Sequence, residues 1–518
     1  MGNKFFFVGL FTILMTTAVQ AQPEQACAAM KNISLQGVNL QITAAQYFTK
    51  REVNGGRFNP VPITLPPHCH VEGDIDRRIG ADGKEYALRF AINLPDNWNG
   101  RFLFQGGGGL NGVLNEPLGT QAVGDRPALD RGFAVVSTDS GHQAQGAFDD
   151  SFMADQEAAM NFFFLGNMRV TNAAKPLVER YYNKDIDKSY FVGCSTGGRE
   201  GMIMAQRYPY LFDGIVSGAP AMRTGLSNLA LRWMNVQMNL AAPKDAGGKP
   251  LPGGTYSKDE QQLIVGGLVQ ACDNLDGAKD GLIFNVAGCR FDPMSLACKN
   301  GKTENCLSKN KAEALVKAVA GPVDSRGVQV YPRYPLDTGI DDKGFIPGII
   351  AGGGGPPVGP PVAAMMSQDV DAEFIAATAT DNAIGDSTSH NLSSFVVRGS
   401  KQIFYHGVSD PWFSAMDTVQ YYQNMAAANG GVNTTEKFSR VFLVPGMGHC
   451  GGGDQTLDSF DMLSAIVDWV EQDKAPASVL ATGRSLPGVS RPLCPYPQHP
   501  HYQGNGDINN ASNFACRY

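Results

Sequence analysis

The sequence predicts an α/β protein in which helices cover both faces of a mainly parallel sheet. Short apolar runs typical of buried strands alternate with helical stretches along much of the chain. One strand–helix step contains a Gly-x-Ser-x-Gly turn, and the alternation stops in the middle of the chain before it resumes. The 518 residues, 43% of them hydrophobic, are ample for a large core.

Residues 1–21 are typical of a secretory signal. Lys4 supplies the positive start, residues 5–18 are apolar, and small residues at 19–21 offer a cleavage site. The apolar run is too short to span a bilayer comfortably, which disfavours the alternative of an N-terminal anchor. The sequence therefore predicts a secreted or periplasmic protein. The net charge of −7 offers no basic surface for nucleic acid or an anionic membrane.

The first part of the predicted core covers residues 22–221. Residues 22–80 indicate an irregular or antiparallel region, in which His68-Cys69-His70 is a weak metal-like cluster that we interpret as a loop. The strands and helices predicted after it are strands at 86–95, 101–105, 132–138, 189–192 and 213–218, and helices at 153–183 and 199–207.

The stretch from Phe191 to Arg199 places a serine between a strand and a helix. Its core is Gly193-Cys194-Ser195-Thr196-Gly197, the context that a nucleophile elbow requires. The glycines remove Cβ atoms that would collide in so tight a turn, and the turn lifts the Ser195 hydroxyl above the sheet edge. A glycine-rich turn with an idle serine is the alternative.

The middle segment, residues 222–397, breaks the α/β rhythm. It is rich in glycine, proline, aspartate, lysine and cysteine, and the glycine- and proline-rich run at 352–361 cannot form a regular element. The pattern resumes over residues 398–518, with strands at 402–405 and 440–445 and an amphipathic helix at 460–471. Such an insertion between core strands commonly makes a lid over an active site.

Two later residues have the order of a catalytic triad. Asp410 follows the strand at 402–405, and His449 follows the strand at 440–445. In an α/β-hydrolase fold the acid and then the base come after the serine, at the ends of later strands. His406 and His142 are alternatives for the base, but both lie in the wrong order. The sequence therefore predicts an α/β-hydrolase fold with a large inserted lid domain.

An oxyanion intermediate needs two backbone donors. One is expected to be the N–H of Thr196, directly after the serine. The other is expected from the glycine loop at 106–109, where Gly107 and Gly108 are equally good candidates. A phosphate cradle is the rival interpretation, but the Gly-Lys-Ser/Thr ending that it needs is missing.

Ten cysteines in an exported chain suggest disulfides. Eight of them have a close neighbour in sequence and form the groups 27/69, 272/289, 298/306 and 494/516. The remaining two, Cys194 and Cys450, flank the predicted nucleophile and base, whose backbones must be close in a working triad. A bridge between them would hold the two catalytic turns together; two free thiols are the alternative.

The stretch Cys272–Leu282 contains Asp273, Asp276 and Asp280 with two glycines. Hard oxygen donors in a tight loop suit calcium, although the spacing is not that of an EF-hand. A solvated polar turn is the alternative. If an ion binds there, its role is expected to be structural.

These motifs together resemble the tannase/feruloyl esterase family of α/β-hydrolases. The residues that carry the resemblance are Gly193-Cys194-Ser195-Thr196-Gly197-Gly198-Arg199, His406-Gly407-Val408-Ser409-Asp410, Gly446-Met447-Gly448-His449-Cys450-Gly451 and Cys272-Asp273-x-x-Asp276-Gly277-x-x-Asp280-Gly281. The pairing of a Cys-Ser with a later His-Cys is specific to that family.

The resemblance implies a secreted serine esterase with the triad Ser195, Asp410 and His449. It implies Ca²⁺ held by side chains of Asp273, Asp276 and Asp280 and carbonyls of Ala278 and Leu282, with no organic cofactor. The disulfides that it implies are Cys27–Cys69, Cys194–Cys450, Cys272–Cys289, Cys298–Cys306 and Cys494–Cys516.

Small esters of aromatic acids are the substrates that the resemblance implies: gallates, hydroxycinnamates such as ferulate or, in one branch, mono(2-hydroxyethyl) terephthalate. Arg223, Arg333 and Arg398 are speculative partners for a free substrate carboxylate, and solvated surface arginines are the alternative for each. Two other functions stay open. One is a serine peptidase or acyltransferase on the same triad, and the other is a non-catalytic calcium- and glycan-binding protein.

Overall fold

The computed structural model describes Gly2 and residues 22–54, 62–251, 254–344, 346–351 and 365–518. Apart from Gly2, the predicted signal at 1–21 lies outside the described residues, as does the glycine- and proline-rich run at 352–361. Within the described part, no helix combines the length and apolar character that crossing a bilayer requires.

The described strands fall into one large sheet and three small ones. The strands are β1 (Leu40–Phe48), β2 (Arg51–Asn54), β3 (Pro62–Leu65), β4 (His68–Ile79), β5 (Glu85–Pro95), β6 (Arg101–Gln105), β7 (Ala134–Thr138), β8 (Lys188–Cys194), β9 (Gly214–Gly218), β10 (Lys401–Gly407), β11 (Ser439–Val444), β12 (Ser459–Phe460), β13 (Val479–Thr482), β14 (Ser490–Leu493), β15 (His499–Tyr502) and β16 (Phe514–Arg517).

The α-helices follow the predicted alternation with the strands. They are α1 (Pro23–Ala29), α2 (Gln156–Met160), α3 (Gly166–Tyr182), α4 (Thr196–Arg207), α5 (Thr224–Ala241), α6 (Lys258–Cys272), α7 (Lys309–Ala320), α8 (Val370–Thr378), α9 (Thr380–Ala383), α10 (Ser393–Val397), α11 (Ala415–Ala428), α12 (Val432–Thr435) and α13 (Met462–Gln472).

The large sheet has nine strands in the order β1-β4-β5-β7-β6-β8-β9-β10-β11. The pairs from β1 to β7 are antiparallel, and all pairs from β7 to β11 are parallel. Parallel strands bring their carboxyl ends to one edge of a sheet. The loops after β6, β8, β10 and β11 therefore meet at a single edge.

Both faces of the central strands are buried. Phe102, Phe104 and Phe191 belong to one hydrophobic cluster, whereas Leu103 and Tyr190 belong to another. Because successive strand residues point to opposite faces, this alternation shows that helices cover the sheet on both sides.

A long segment separates β9 from β10, although the two strands are paired in the sheet. Its described residues contribute α5 to α10 and no strand of the large sheet. Leu226, Met234 and Leu315 of this segment form a hydrophobic cluster that also includes Trp412 and Phe413. The predicted α/β-hydrolase fold with a large insertion is confirmed, and the predicted bounds of the insertion, 222–397, lie inside this segment.

Some local predictions were wrong. His68-Cys69-His70 lies in β4 rather than in a loop, because Cys69 is paired on one side with Tyr47 and on the other with Leu94. The predicted helix at 153–183 is divided, since a π-helical turn, Asn161–Leu165, separates α2 from α3. Phe460 belongs to β12, so α13 begins two residues later than expected.

Candidate active site

Ser195 lies in a strained turn between β8 and α4. Its backbone angles, φ 63° and ψ −123°, are outside the regions that side-chain-bearing residues favour, which costs roughly 1–3 kcal/mol. A Cβ atom on Gly193 would lie 2.6 Å from the carbonyl carbon of Gly197, and one on Gly197 would lie 2.7 Å from the carbonyl oxygen of Gly107. The close approach of these three backbones explains why glycine is needed at both positions.

Asp410 and His449 are in direct contact at the same sheet edge. His449 Nδ1 donates a hydrogen bond to Asp410 Oδ2 over 2.7 Å, and the backbone N–H groups of Trp412 and Phe413 donate to Asp410 Oδ1 over 2.9 and 3.1 Å. An ionised carboxylate can only accept, so Nδ1 carries the proton and Nε2 is left as an acceptor. This tautomer is the one that a general base requires.

Asp410 is fully buried but stays ionised. Burial alone would raise the pKa of its carboxyl, but His449 and His406 outweigh that effect and hold the pKa well below its usual range. His406 Nε2 lies 3.4 Å from Asp410 Oδ2 and donates to the carbonyl oxygen of Phe413 over 2.9 Å. His406 Nδ1 is hydrogen-bonded to the Thr418 hydroxyl over 2.8 Å, so His406 supports the acid and has no free nitrogen to act as the base.

The disulfide Cys194–Cys450 joins the serine turn to the histidine loop. Its Cα atoms are 5.9 Å apart, and Cys450 has a left-handed φ of 68° next to His449. His449 Nε2 lies 3.7 Å from Cys450 Sγ. Among the described residues, no hydrogen bond joins the Ser195 hydroxyl to His449. Catalytic hydrogen bonds are often long in ligand-free enzymes and shorten when substrate binds.

The predicted oxyanion donors differ in their availability. Thr196 is the first residue of α4, so its N–H has no acceptor within the helix. Gly107 N–H donates to Glu200 Oε2 over 2.9 Å and is thereby occupied in this structure, which favours Gly108 over Gly107. Gly108 N–H has no hydrogen-bond acceptor in the described part of the chain, so it stays the candidate for the second donor.

A buried carboxylate that the sequence analysis missed fixes the glycine loop. Besides Gly107, Glu200 accepts a hydrogen bond from Asn111 Nδ2 over 2.6 Å, and its side chain is only 3% exposed. Glu200 lies one helical turn after Thr196 on α4. It therefore connects the helix that follows the serine to the loop that carries Gly108.

A cavity of about 740 Å³ opens beside Ser195. Its volume is in the range of sites that bind small molecules. Its aromatic lining residues are Phe148, Phe162, Phe163, Trp412 and Phe413. The imidazole of His449 packs behind this wall, with its ring centroid 5.8 Å from that of Trp412 and 5.1 Å from that of Phe413.

The cavity wall contains the π-helical turn, held by a buried guanidinium. Arg199 Nη1 donates to the carbonyl oxygens of Phe163 and Gly385 over 3.0 and 3.3 Å, and Nη2 donates to that of Phe162 over 3.2 Å. The π-helical turn spans Asn161–Leu165 and therefore includes both phenylalanines. Such turns occur frequently at functional sites. Arg199 belongs to the serine motif, but no sequence signal indicates this role.

The structure does not place the three speculative arginines in the cavity wall. Arg223 is only partly exposed and is not a free surface arginine, because Asp417 holds it in an ion pair through two hydrogen bonds. Arg398 is exposed and lies 3.4 Å from Asp213. Arg333 lines other cavities.

The aspartate loop follows α6 in the insertion. Asp276 is 2% exposed, and burial raises its pKa to about 7, with the negative charges of Asp280 and Asp273 adding to the effect. Asp280 contacts the buried guanidinium of Arg491. Hard oxygen donors with like charges fit a cation such as calcium. No group of three or more acidic, histidine or cysteine side chains has the arrangement of a metal site in the described residues, and the calcium site stays a prediction.

All five predicted disulfides are confirmed. Besides Cys194–Cys450, they are Cys27–Cys69, Cys272–Cys289, Cys298–Cys306 and Cys494–Cys516. Disulfides are typical of proteins in oxidising compartments and rare in the cytosol of most organisms.

Comparisons with known proteins agree with this geometry. A family model described as "Tannase and feruloyl esterase" matches residues 69–352 and 362–517. A mono(2-hydroxyethyl) terephthalate hydrolase of Piscinibacter sakaiensis is 38% identical, over 87% of this chain and 85% of its own. A probable feruloyl esterase of Arthroderma benhamiae is 30% identical, over 96% of this chain and 95% of its own.

The fold has a counterpart among solved structures. The crystal structure of feruloyl esterase B from Aspergillus oryzae matches with a TM-score of 0.76 at 24% identity, over 96% of this chain and 100% of that one. The match extends to the insertion as well as the central sheet. The chain belongs to the tannase and feruloyl esterase family and is a carboxylic ester hydrolase.

Proposed function

We propose that this enzyme is an exported serine esterase that cleaves esters of aromatic acids through an acyl-enzyme. The observation that carries the proposal is the 2.7 Å contact of His449 Nδ1 with Asp410 Oδ2. It leaves a basic Nε2 on the loop that a disulfide joins to the turn of Ser195. Serine needs such a base because its hydroxyl is a weak nucleophile.

The proposed reaction has two stages. His449 Nε2 takes the proton of Ser195 as its oxygen attacks the ester carbonyl, and the N–H groups of Thr196 and Gly108 hold the oxyanion. The ester C–O bond then breaks, and the imidazolium gives its proton to the leaving alcohol. Water, deprotonated by His449, attacks the acyl-enzyme; the bond to the Ser195 oxygen then breaks, the imidazolium returns its proton to that oxygen, and the acid is released. Asp410 keeps the imidazole oriented and supports its positive charge throughout.

Aromatic acyl groups are the proposed substrates because five aromatic side chains line the cavity beside Ser195. Aromatic rings favour offset-stacked or edge-to-face packing against other rings. The relatives' names point to the same class, since they refer to feruloyl esters and to a terephthalate monoester. The five disulfides support export to an oxidising compartment.

Covalent labelling tests the proposed nucleophile. A fluorophosphonate probe should label the wild-type protein stoichiometrically, and Ser195→Ala should abolish both labelling and ester hydrolysis. Hydrolysis of p-nitrophenyl, feruloyl and galloyl esters without cleavage of peptides would separate an esterase from a peptidase on the same residues. Undiminished hydrolysis by Ser195→Ala would rule the proposal out.

We also propose that the aspartate loop would hold a structural Ca²⁺ through Asp273, Asp276 and Asp280 and the carbonyls of Ala278 and Leu282. The ion would neutralise carboxylates that burial and mutual repulsion disfavour. EDTA should lower the melting temperature by several degrees, and added calcium should restore it. The same treatments should leave Asp276→Asn almost unchanged. A wild-type melting temperature that ignores both EDTA and calcium would exclude the ion.

A further inference from the structure

The charged groups of the cavity beside Ser195 limit which acyl groups it can take. In the described part of the cavity wall they are Asp150, Arg199 and Asp386. Arg199 is 4% exposed and already donates to three backbone carbonyls. Giving up those bonds would leave buried carbonyls unpaired and loosen the π-helical turn, so this guanidinium is a poor partner for a substrate anion.

Asp386 is different, because its carboxylate is partly exposed and makes no hydrogen bond or ion pair with any other described residue. Its position is nevertheless fixed by its neighbours. The carbonyl oxygen of Gly385 accepts from Arg199, and Ser387 N–H donates to the carbonyl oxygen of Met222 over 3.0 Å. The structure thus presents a fixed hydrogen-bond acceptor for which the described residues supply no donor.

The positive charges around Asp386 are already matched by carboxylates of the protein. Arg199 and Arg223 attract its carboxylate, and Asp417 repels it. Since Arg223 is also the ion-pair partner of Asp417 and Arg199 also faces Glu200, two guanidinium groups face three carboxylates. A substrate carboxylate would add an uncompensated negative charge to this partly buried site. A phenolic hydroxyl would instead supply the missing donor.

We propose that Asp386 determines acyl-group specificity by accepting a hydrogen bond from a phenolic hydroxyl and disfavouring a free carboxylate. The inference rests on the function proposed above and selects hydroxylated aromatic acyl groups, such as feruloyl and galloyl, over a terephthalate monoester. Burial raises the pKa of Asp386 to about 7, although Arg223 and Arg199 oppose that rise and Asp417 adds to it. Discrimination against an anion should therefore increase as pH rises through about 7.

Four esters separate the contributions of hydroxyl and charge. Methyl ferulate carries a phenolic hydroxyl and methyl 3,4-dimethoxycinnamate does not. Mono(2-hydroxyethyl) terephthalate carries a carboxylate, whereas bis(2-hydroxyethyl) terephthalate is neutral. At pH 8, the wild-type kcat/KM should be about tenfold higher for the ferulate than for the dimethoxy ester, and about tenfold higher for the diester than for the monoester.

Asp386→Asn keeps the shape of the side chain and removes its charge. It should bring both wild-type ratios to within about threefold of one, with an unchanged melting temperature. An equal loss on all four esters would overturn the proposal, as would a wild-type enzyme that prefers the monoester. If the two ratios fell toward one in Asp150→Asn but not in Asp386→Asn, Asp150 rather than Asp386 would determine the specificity, and the proposal would be wrong. Failure of the serine mechanism would look different, because Ser195→Ala would then remain active.

Discussion

The proposed catalytic residues all come from the sheet domain, whereas the cavity beside Ser195 is lined by both the sheet domain and the insertion. Ser195, Asp410 and His449 follow β8, β10 and β11 of the central sheet, and a disulfide joins two of their loops. One wall of the cavity instead comes from the insertion, including α5 and the turn around Asp386. The comparison teaches that the proposed chemistry depends on the topology of the sheet, whereas the selectivity proposed for Asp386 depends on a segment that contributes no strand to that sheet.

Removing the acid should have the largest effect. In Asp410→Asn, the backbone N–H groups of Trp412 and Phe413 will keep the side-chain oxygen at the Oδ1 position. The amide NH₂ will then face His449 Nδ1 and force the wrong tautomer. We expect kcat to fall about 10⁴-fold in steady-state assays with methyl ferulate.

His406→Gln is the matched control for this prediction, because His406 also lies beside Asp410 but holds Phe413 rather than the reacting atoms. It should lower kcat about tenfold or less. Equal losses in the two variants would mean that His449 is not the base.

Removing the disulfide should have the next largest effect. The double variant Cys194→Ala/Cys450→Ala removes the bond that joins the serine turn to the histidine loop. Positions 195 and 450 in these two turns have positive φ angles and are then free to relax. Small misplacements of catalytic groups are expensive, so we expect kcat to fall about 10²-fold. Stability should also fall, by roughly 2–5 kcal/mol in denaturant titrations.

One of the two disulfides of the insertion, Cys298–Cys306, provides the contrast. Cys298 and Cys306 are eight residues apart and lie away from the cavity wall. The variant Cys298→Ala/Cys306→Ala should lose some stability but keep kcat within about twofold. If both double variants lost kcat equally, the position of the catalytic loops would not depend specifically on the Cys194–Cys450 disulfide.

Glu200→Gln should have a smaller effect on rate. The carboxylate of Glu200 accepts from Gly107 N–H and from Asn111 Nδ2. A glutamine has one acceptor oxygen, so one of these buried donors loses its partner and the loop carrying Gly108 loosens. We expect kcat to fall about tenfold with little change in KM, measured on the neutral diester. A change in KM alone would place Glu200 in binding rather than in oxyanion support.

His142 should affect stability without affecting rate. Its ring is 1% exposed, neither ring nitrogen has a partner among the described residues, and burial lowers its pKa from 6.5 to about 4. The folded state therefore favours the neutral ring. Because the unfolded chain protonates this histidine at a higher pH than the folded protein does, the free energy of unfolding decreases as pH falls from 6.5 toward 4. The decrease amounts to about 3 kcal/mol.

Urea titrations at pH 7 and pH 4 test this prediction. His142→Phe should lose about 3 kcal/mol less than the wild type between the two pH values. Both proteins should have the same kcat at pH 7. Identical acid sensitivity of the two proteins would show that His142 does not carry the effect.

The sequence was sufficient for the residues that follow strands. Gly193–Gly197 signals its own turn, and the order of Ser195, Asp410 and His449 follows from strands whose carboxyl ends share an edge. Other features depend on contacts between distant residues. Gly107 could not be separated from Gly108, because the difference is a hydrogen bond from Glu200, 93 residues away.

The insertion was less predictable for the same reason. Asp386 lies in a short polar turn after α9, and no periodicity or motif distinguishes it from other surface aspartates. Its importance comes only from the cavity that it lines and from the absence of a partner in the described residues. Arg223 is the opposite case, a residue that is unavailable to a substrate because of a distant contact. The ion pair with Asp417 that neutralises it joins residues 194 positions apart.

Trapping the acyl-enzyme tests the central claim most directly. Rapid acid quenching of the wild type with p-nitrophenyl ferulate, followed by peptide mass spectrometry, should find one feruloyl group on the peptide that contains Ser195. Ser195→Ala should give no adduct and no burst of p-nitrophenol. A feruloyl group on another residue, or full hydrolysis by Ser195→Ala with no adduct at all, would contradict the account.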